Sequence, residues 1–158
     1  ANLPCVMKML INLLLIFSLS CSSPQGQQGL VVKVIDGDTF DMKSGTEKVR
    51  VRLFGIDAPE RGQAFNVKAR EFTASLIAGE EVKIVIHEKD RYGRTVADVY
   101  RSDGQHVNAE IVKAGFAWHF TRYSNDPELA VLEYEAREAR RGLWKEKNPV
   151  PPWEFRKR

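Results

Sequence analysis

Short apolar stretches separated by polar turns predict five strands in the first two thirds of the chain. The stretches LVVKVI and TFDM flank an Asp-Gly-Asp sequence at 36–38, whose composition is typical of a tight turn between two strands. After a second turn, KSGTEK, the stretch VRVRLFGI at 49–56 alternates between apolar and polar residues. EVKIVIHE and TVADVYR predict two more strands around the polar turn KDRYGR at 89–94.

Apolar residues at helical spacing predict three helices. In FNVKAREFTASLIAG, the residues Phe65, Ala69, Phe72 and Leu76 share one face, and Gly79 ends the helix. HVNAEIVKAG at 106–115 predicts a shorter helix. A third begins at 126–127, with Asp as N-cap and Pro in the first position, and it ends before a glycine at 142.

This order of elements indicates an α+β domain. Five strands with a helix between the third and the fourth are the order of an OB-fold, a small five-stranded barrel that often binds oligonucleotides. We expect the domain to span 29–146. It is preceded by a polar linker at 22–28 and followed by a Pro-rich basic tail at 147–158, KNPVPPWEFRKR.

The first 21 residues predict an export signal. MKMLINLLLIFSLSC has a lysine, an apolar run too short to span a bilayer of about 30 Å, and small residues before Cys21. Cys21 resembles the lipidated cysteine of bacterial lipoproteins, although Ser18 occupies a position where a branched apolar residue is usual. We therefore expect either a lipoprotein anchored to the cell envelope through Cys21 or a secreted protein cleaved nearby.

Composition narrows the class of protein only modestly. Of the 158 residues, 43% are hydrophobic and 28% are charged, as in an ordinary globular domain. The net charge of +3 permits an anionic partner without requiring one. The two cysteines, Cys5 and Cys21, both lie in the leader, so the domain has neither a disulfide framework nor a thiolate metal site. Nothing in the sequence indicates an obligate oligomer, and we expect a monomer.

Three acidic residues follow predicted strands or turns and are candidate metal ligands or catalytic groups. Asp38 follows a Gly turn, and Asp57 and Glu60 follow the alternating strand, with Pro59 fixing the backbone between them. Such acids converge readily on one rim of a small barrel, and carboxylates are ligands for Ca²⁺ or Mg²⁺. Taken singly, each motif is also ordinary turn chemistry.

Two arginines change this interpretation. Arg52 and Arg94 carry planar guanidinium groups that suit the paired oxygens of a phosphate, although each also fits a solvated strand face or turn end. Acids for a metal, one further acid as a base and guanidinium groups for an anion together describe phosphodiester hydrolysis.

Three segments resemble one known family in order and separation. VIDGDTF at 34–40, VRLFGIDAPE at 51–60 and KDRYGR at 89–94 closely resemble the staphylococcal (micrococcal) nuclease, or thermonuclease, family. AGFAW and EAREARRGLW fit the same family. The resemblance extends from Gly29 to about Trp144 and implies a calcium-dependent nuclease on an OB-fold that cuts DNA and RNA to leave 3′-phosphates.

The resemblance also implies roles for individual residues. Asp38 and Asp57 correspond to calcium-binding carboxylates, and Ala58, where the family often has Thr, to a ligand through its main-chain carbonyl. Glu60 corresponds to the general base, or to the group that positions the attacking water. Arg52 and Arg94 correspond to the residues that hold the phosphate, whereas Arg50 has no such role and is expected at the surface. We expect Arg52, Arg94 and Glu60 to lie on an exposed rim.

Nucleotide contacts are expected from a second group of residues. Arg91 and Tyr92 match a basic residue and a tyrosine near the terminal phosphate or sugar, and Tyr123 matches one of two tyrosines that flank a base, which favours single strands. Thr121 stands where the second tyrosine is usual. Trp118, His119 and Phe120 either compensate for this change or pack in the core.

Parts of the sequence also fit three other functions. Glu81-Val-Lys83 mimics the D…(D/E)xK site of restriction-type nucleases, but the triplet is common on amphipathic strands. His87, His106 and His119 have no partners at metal-ligand spacing and are expected to be core or surface residues. A non-catalytic nucleic-acid-binding OB-fold is the serious alternative, and the intact set of acids and arginines argues against it.

Overall fold

A closed five-stranded barrel forms the body of the protein. The structure is a computed structural model that describes residues 26–158, so the predicted leader and the predicted lipidation at Cys21 lie outside the described residues. The barrel order is β1-β2-β3-β6-β5, and β3 and β6 run parallel. The barrel confirms the α+β OB-fold predicted from sequence. The strands are β1 (Gly26–Val34), β2 (Thr39–Ser44), β3 (Glu47–Leu53), β4 (Ile56–Asp57), β5 (Glu81–Lys89), β6 (Thr95–Arg101) and β7 (Trp118–His119).

Alternation along β2 and β3 fills the barrel. Thr39 to Ser44 pair in unbroken antiparallel register with Arg52 to Glu47. Phe40, Val51 and Leu53 point inward and are fully buried, while the arginines of β3 point outward. The short strands β4 and β7 form a separate antiparallel pair, which carries Asp57 at its end.

Helices cover the barrel. Within 26–158 they are α1 (Asn66–Ile77), α2 (Val107–Lys113), α3 (Pro127–Glu138), a 3₁₀ turn (Gly142–Lys145) and α4 (Pro152–Phe155). The Asp126 side chain accepts a hydrogen bond from the backbone N–H of Glu128, as an N-cap does. The same helix ends at Glu138 rather than directly before Gly142, because Arg140 adopts a positive φ of 50° that a helix does not continue through. In this part of the chain, no helix is both long and apolar enough to cross a membrane.

The buried face of α1 differs from the predicted one. Ala69, Thr73 and Ile77 are fully buried, whereas Phe72 and Leu76 are only partly buried against the core. The physical reason is a polar contact, since the Thr73 hydroxyl donates to the Gly37 carbonyl at 2.7 Å and so turns that edge of the helix inward.

Both ends of the domain carry more regular structure than the sequence predicted. β1 begins at Gly26, inside the segment assigned to the linker, because its first residues continue the ladder with β5. The Pro-rich tail contains α4, and Trp153 packs against a second apolar cluster beside the barrel. The buried members of that cluster are Trp118, Ala136, Leu143 and Trp144.

Asn108 joins α2 to the barrel and gives a stability prediction. Its fully buried side chain accepts a hydrogen bond from the Val99 N–H and donates to the carbonyls of Phe54 and Ala97. We expect Asn108→Ala to lower the free energy of unfolding by about 2–4 kcal/mol, because backbone groups are left buried without partners. Chemical denaturation measures this, with the exposed Asn125→Ala as control; equal stability of the two variants would contradict it.

Candidate active site

Two buried carboxylates meet where the turn after β1 touches the end of β4. Asp57 is 1% exposed and Asp38 is also buried. The backbone N–H of Ala58 donates to Asp38 Oδ2 at 2.7 Å, which ties the two segments together across 20 residues. The sequence prediction that these acids converge on one rim therefore agrees with the structure.

Close packing and hydrogen bonds fix the turn that carries Asp38. A Cβ on Gly37 would lie 2.7 Å from Ala58 Cβ and 2.9 Å from Ala69 Cβ, so only glycine allows this approach. The Asp38 N–H donates to Asp36 Oδ1, which closes the turn. The turn that carries Asp38 is thereby held closely against Ala58 and α1.

Arg52 bridges both carboxylates. Its Nη2 lies 3.2 Å from Asp38 Oδ2 and 3.0 Å from Asp57 Oδ1, while Nη1 donates to the carbonyls of Leu53 and Ile56 at 2.7 and 2.8 Å. The side chain is only 13% exposed. The expectation of an exposed rim position for Arg52 is therefore wrong, because its guanidinium is folded back onto the backbone of its own strand end.

Burial raises the pKa of two carboxyl groups at this site. Burial, followed by the negative charge of Asp38, raises the pKa of Asp36 to about 7. Burial also raises the pKa of Asp57, with the charge of Asp38 adding to the effect and the hydrogen bonds of Arg156 opposing it. A further positive charge beside these groups would favour their ionised forms.

Glu60 lies on a bend that is anchored to the start of α1. Asn66 donates from Nδ2 to the Pro59 carbonyl at 3.0 Å, and the Glu60 N–H donates to Gln63 Oε1 at 3.0 Å. The Glu60 carboxylate is partly exposed and is ion-paired with Arg156. Arg156 also donates to Asp57, so that it connects Asp57 and Glu60.

Arg94 forms its polar contacts within its own turn, and among the described residues it contacts none of Asp38, Asp57 and Glu60. Its Nε donates to Asp90 Oδ2 at 2.7 Å within the turn between β5 and β6. Arg91 and Arg94 both stack on the ring of Tyr92, which is 70% exposed. This turn presents two guanidinium groups and one aromatic ring to solvent.

The aromatic residues after β7 divide into core and surface. Tyr123 is 57% exposed and meets the edge of Phe120, whose other neighbour is the stacked ring of Trp153. Trp118 and His119 are buried, so the alternative that they replace a second pocket tyrosine at the exposed position of Thr121 is wrong. They pack instead, because β7 pairs with β4 inside the fold.

The remaining histidines have structural partners. His87 and His106 both approach the Asp98 carboxylate, at 2.7 and 3.2 Å, and stack on Phe54 and Tyr100 respectively. Within residues 26–158, no group of three acidic, histidine or cysteine residues is arranged to hold a metal ion. These contacts agree with the interpretation of the histidines as core or surface residues.

The described fold and site match one protein family over most of the chain. The model of the family described as staphylococcal nuclease homologues matches residues 50–146. The chain belongs to the staphylococcal nuclease family. It is 45% identical over 130 residues to a protein named uncharacterized endonuclease of Escherichia coli O157:H7, covering 82% of this chain and 85% of that one.

Two further relatives cover similar shares. A protein named micrococcal nuclease, of Shigella flexneri, is 41% identical over 140 residues, which are 82% of this chain and 80% of the relative. An uncharacterized endonuclease of Haemophilus influenzae is 40% identical over 151 residues, with 94% of this chain and 84% of the relative covered. The family resemblance found from short motifs is therefore confirmed over nearly the whole chain.

The donor set of this nuclease-family chain suits a hard divalent cation. Asp38 and Asp57 contribute carboxylate oxygens, and the main-chain carbonyl of Ala58 is adjacent. The positive groups already on these acids are guanidiniums, since Arg52 contacts both and Arg156 contacts Asp57 and Glu60. The site is thus built to hold positive charge, although two carboxylates alone form an incomplete cage.

Arg156 is the site residue that sequence reasoning missed. It lies 99 residues from Asp57 along the chain, in a tail where it is one of several basic residues. No local pattern distinguishes it from Lys157 or Arg158. The available signal is the apolar Trp153, which shows that the tail has something to pack against.

Arg50 has a structural role in this family member, which gives a pH prediction. Its guanidinium bonds the Asp41 carboxylate, which is 1% exposed and also paired with Lys48. The hydrogen bond from Arg50 is the main cause that lowers the pKa of Asp41 from its ordinary 3.8 to about 2.

Because the folded-state pKa is depressed, this pair stabilises the fold above pH 4, and the contribution disappears as the pH falls towards 2. We expect Asp41→Asn to cost about 1–2 kcal/mol at pH 7, since the exposed arginine and lysine are screened by water. The difference should be roughly halved at pH 3. Urea titrations of both proteins from pH 3 to 7 measure it; a difference independent of pH would contradict the assignment.

Proposed function

We propose that the protein is a calcium-dependent nuclease that hydrolyses DNA and RNA and leaves 3′-phosphates. The observation that carries the proposal is the buried pair Asp38 and Asp57, bridged by Arg52 and flanked by Glu60. This arrangement combines negative charge for a cation, a carboxylate for a water molecule and a guanidinium for a phosphate. Membership of a nuclease family and the names of the relatives support the same activity.

Asp38, Asp57 and the Ala58 carbonyl are proposed to hold the cation. When bound, a divalent cation supplies positive charge that polarises the scissile phosphate and offsets the charge that develops on it. The carboxylates contribute to this by being held in fixed positions before the substrate arrives. Gly37 and the Arg52 bridge provide that rigidity.

Glu60 is proposed to take the proton from the attacking water or to position it. The water oxygen forms a bond to phosphorus while the bond from phosphorus to the 5′ oxygen breaks, and the phosphate stays on the 3′ side. The leaving oxygen receives a proton from solvent. Arg52, and Arg94 from its turn between β5 and β6, are proposed to bind the phosphate and stabilise its charge.

Arg91, Tyr92 and Tyr123 are proposed to bind the nucleic acid around the scissile phosphate. The exposed rings of the two tyrosines offer faces on which unpaired bases stack, a contact worth about 1–3 kcal/mol per base. Stacking requires accessible bases, so single strands are proposed as the preferred substrate. The contact does not distinguish DNA from RNA.

The alternative function is a nucleic-acid-binding barrel without catalysis. End-group analysis distinguishes the two: labelled single-stranded DNA and RNA are incubated with the protein and Ca²⁺, and the products are treated with a phosphatase. Products whose mobility changes after removal of a 3′-phosphate support the proposal. Shortened products with 5′-phosphates would contradict the proposed direction of attack, and intact oligonucleotide in a stable complex would favour the binding module.

We propose export, either as an envelope lipoprotein attached through Cys21 or as a secreted protein, and a monomeric state. Metabolic labelling with a radioactive fatty acid tests the lipid: label on the protein and its loss in Cys21→Ser support the anchor. An unlabelled protein recovered from the culture medium would support simple secretion.

A further inference from the structure

The C-terminal tail lies across the candidate active site and is fixed there by apolar contacts. The Trp153 ring stacks on Phe120, with 5.1 Å between ring centres and an angle of 2° between planes. It also meets the edge of Trp118 at 5.7 Å. The Gln63 side chain donates to the Val150 carbonyl, which attaches the tail to the bend that carries Glu60. The tail is therefore packed against the rest of the domain through specific contacts.

This packing places the Arg156 guanidinium beside the carboxylates of Asp57 and Glu60. Its Nη2 donates to Asp57 Oδ2 at 2.9 Å and its Nη1 contacts Asp57 Oδ1 at 3.3 Å and Glu60 Oε1. The contact on Asp57 is two-pronged, which is the strong form of a guanidinium–carboxylate pair. With Arg52 also on Asp57 Oδ1, both oxygens of this buried carboxylate are occupied by positive groups.

We propose that Arg156 is a tethered competitor of the divalent cation and determines the cation concentration at which the site is filled. The inference rests on the proposed function, since it concerns the same carboxylates. A cation bound to Asp57 requires those oxygens, so Arg156 must leave before or while it binds. Release of Arg156 also frees Glu60 for the attacking water.

The strength of this competition follows from the tether and from exposure. A group held on a short, packed segment has an effective concentration of about millimolar or above at its target. The Arg156 side chain is 43% exposed, however, so water weakens its pair with Asp57 and keeps displacement possible. We therefore expect the pair to weaken cation binding by roughly tenfold rather than to abolish it.

Calorimetric titration of the full chain with Ca²⁺ alone tests the inference without any activity measurement. The variants are Arg156→Gln, Arg156→Lys and the matched control Lys157→Gln, which removes the same charge from the adjacent exposed residue. We expect Arg156→Gln to bind Ca²⁺ about tenfold more tightly than the wild type. The Ca²⁺ affinity of Arg156→Lys should lie between those of the wild type and Arg156→Gln, because an ammonium retains the charge but not the two-pronged contact. Lys157→Gln should change the affinity less than twofold.

Equal Ca²⁺ affinity for Arg156→Gln and Lys157→Gln would overturn the competition and leave the proposed cation site intact. Absence of Ca²⁺ binding in every variant would overturn the proposed cation site, and the competition with it. Thermal unfolding provides a second readout: without Ca²⁺, Arg156→Gln should unfold at a lower temperature than wild type, and added Ca²⁺ should raise its unfolding temperature by more. An identical Ca²⁺-induced rise in both proteins would contradict the competition.

Discussion

Replacing Glu60 by Gln is expected to lower the rate of phosphodiester cleavage by about 10²–10⁴-fold, because the amide cannot accept the proton of the attacking water. The fold should be retained, since the Glu60 side chain is partly exposed. The bonds that hold its bend, from the Glu60 N–H to Gln63 and from Asn66 to the Pro59 carbonyl, do not involve the carboxylate. Single-turnover cleavage of a labelled oligonucleotide at saturating enzyme measures the effect on the chemical step.

Two controls separate this effect from changes in folding or cation binding. Glu71→Gln removes an exposed carboxylate from α1 and should leave the rate unchanged. Calorimetry should show that Glu60→Gln still binds Ca²⁺, at least as tightly as wild type, because Arg156 has lost one of its two acids. Undiminished turnover of Glu60→Gln would refute the role of Glu60 as base.

Replacing Arg52 by Ala is expected to remove both activity and stability. The rate should fall by about 10²–10³-fold through loss of a phosphate-binding guanidinium. The free energy of unfolding should fall by about 3–5 kcal/mol, because Asp38 and Asp57 remain buried without the arginine that bridges them. Unfolding of the variant by urea and its cleavage rate, measured below its unfolding temperature, give the two quantities.

Arg94→Ala is the matched comparison for Arg52→Ala. It should lower the rate by a similar factor yet reduce stability by only about 1 kcal/mol, since the pair of Arg94 with Asp90 lies at the surface of a turn. If Arg52→Ala were as stable as wild type, the buried bridge would be contradicted. If Arg94→Ala cleaved at the wild-type rate, Arg94 would have no part in phosphate binding.

The barrel was predictable from sequence because its strands are specified by local patterns of apolar, polar and turn residues. Alternation in β3 places Val51 and Leu53 inside and Arg50 and Arg52 outside, and turns of favourable composition precede β2, β3 and β6. The start of α3 was equally local, as the cap at Asp126 shows. The buried face of α1 was not, because it depends on a bond from Thr73 to a carbonyl 36 residues away.

The candidate site was predictable only in part for the same reason. Asp38 and Asp57 each follow a strand or turn whose position in a barrel is known once the fold is known, so their meeting was expected. The depth of Arg52 was missed because the alternation of β3 places it outward, whereas its guanidinium folds back onto Leu53 and Ile56. Arg156 was missed because no local pattern in the short basic tail indicates a contact with a residue 99 positions away.

Cleavage of single-stranded DNA by the purified protein, with millimolar Ca²⁺ and then with an excess of chelator, tests whether the protein is a cation-dependent nuclease. We expect rapid cleavage that stops when the cation is removed and resumes when Ca²⁺ is restored. Cleavage that continues unchanged in the chelator would contradict a cation held by Asp38 and Asp57. A protein that binds the DNA with any divalent cation but never shortens it would contradict the assignment of a nuclease.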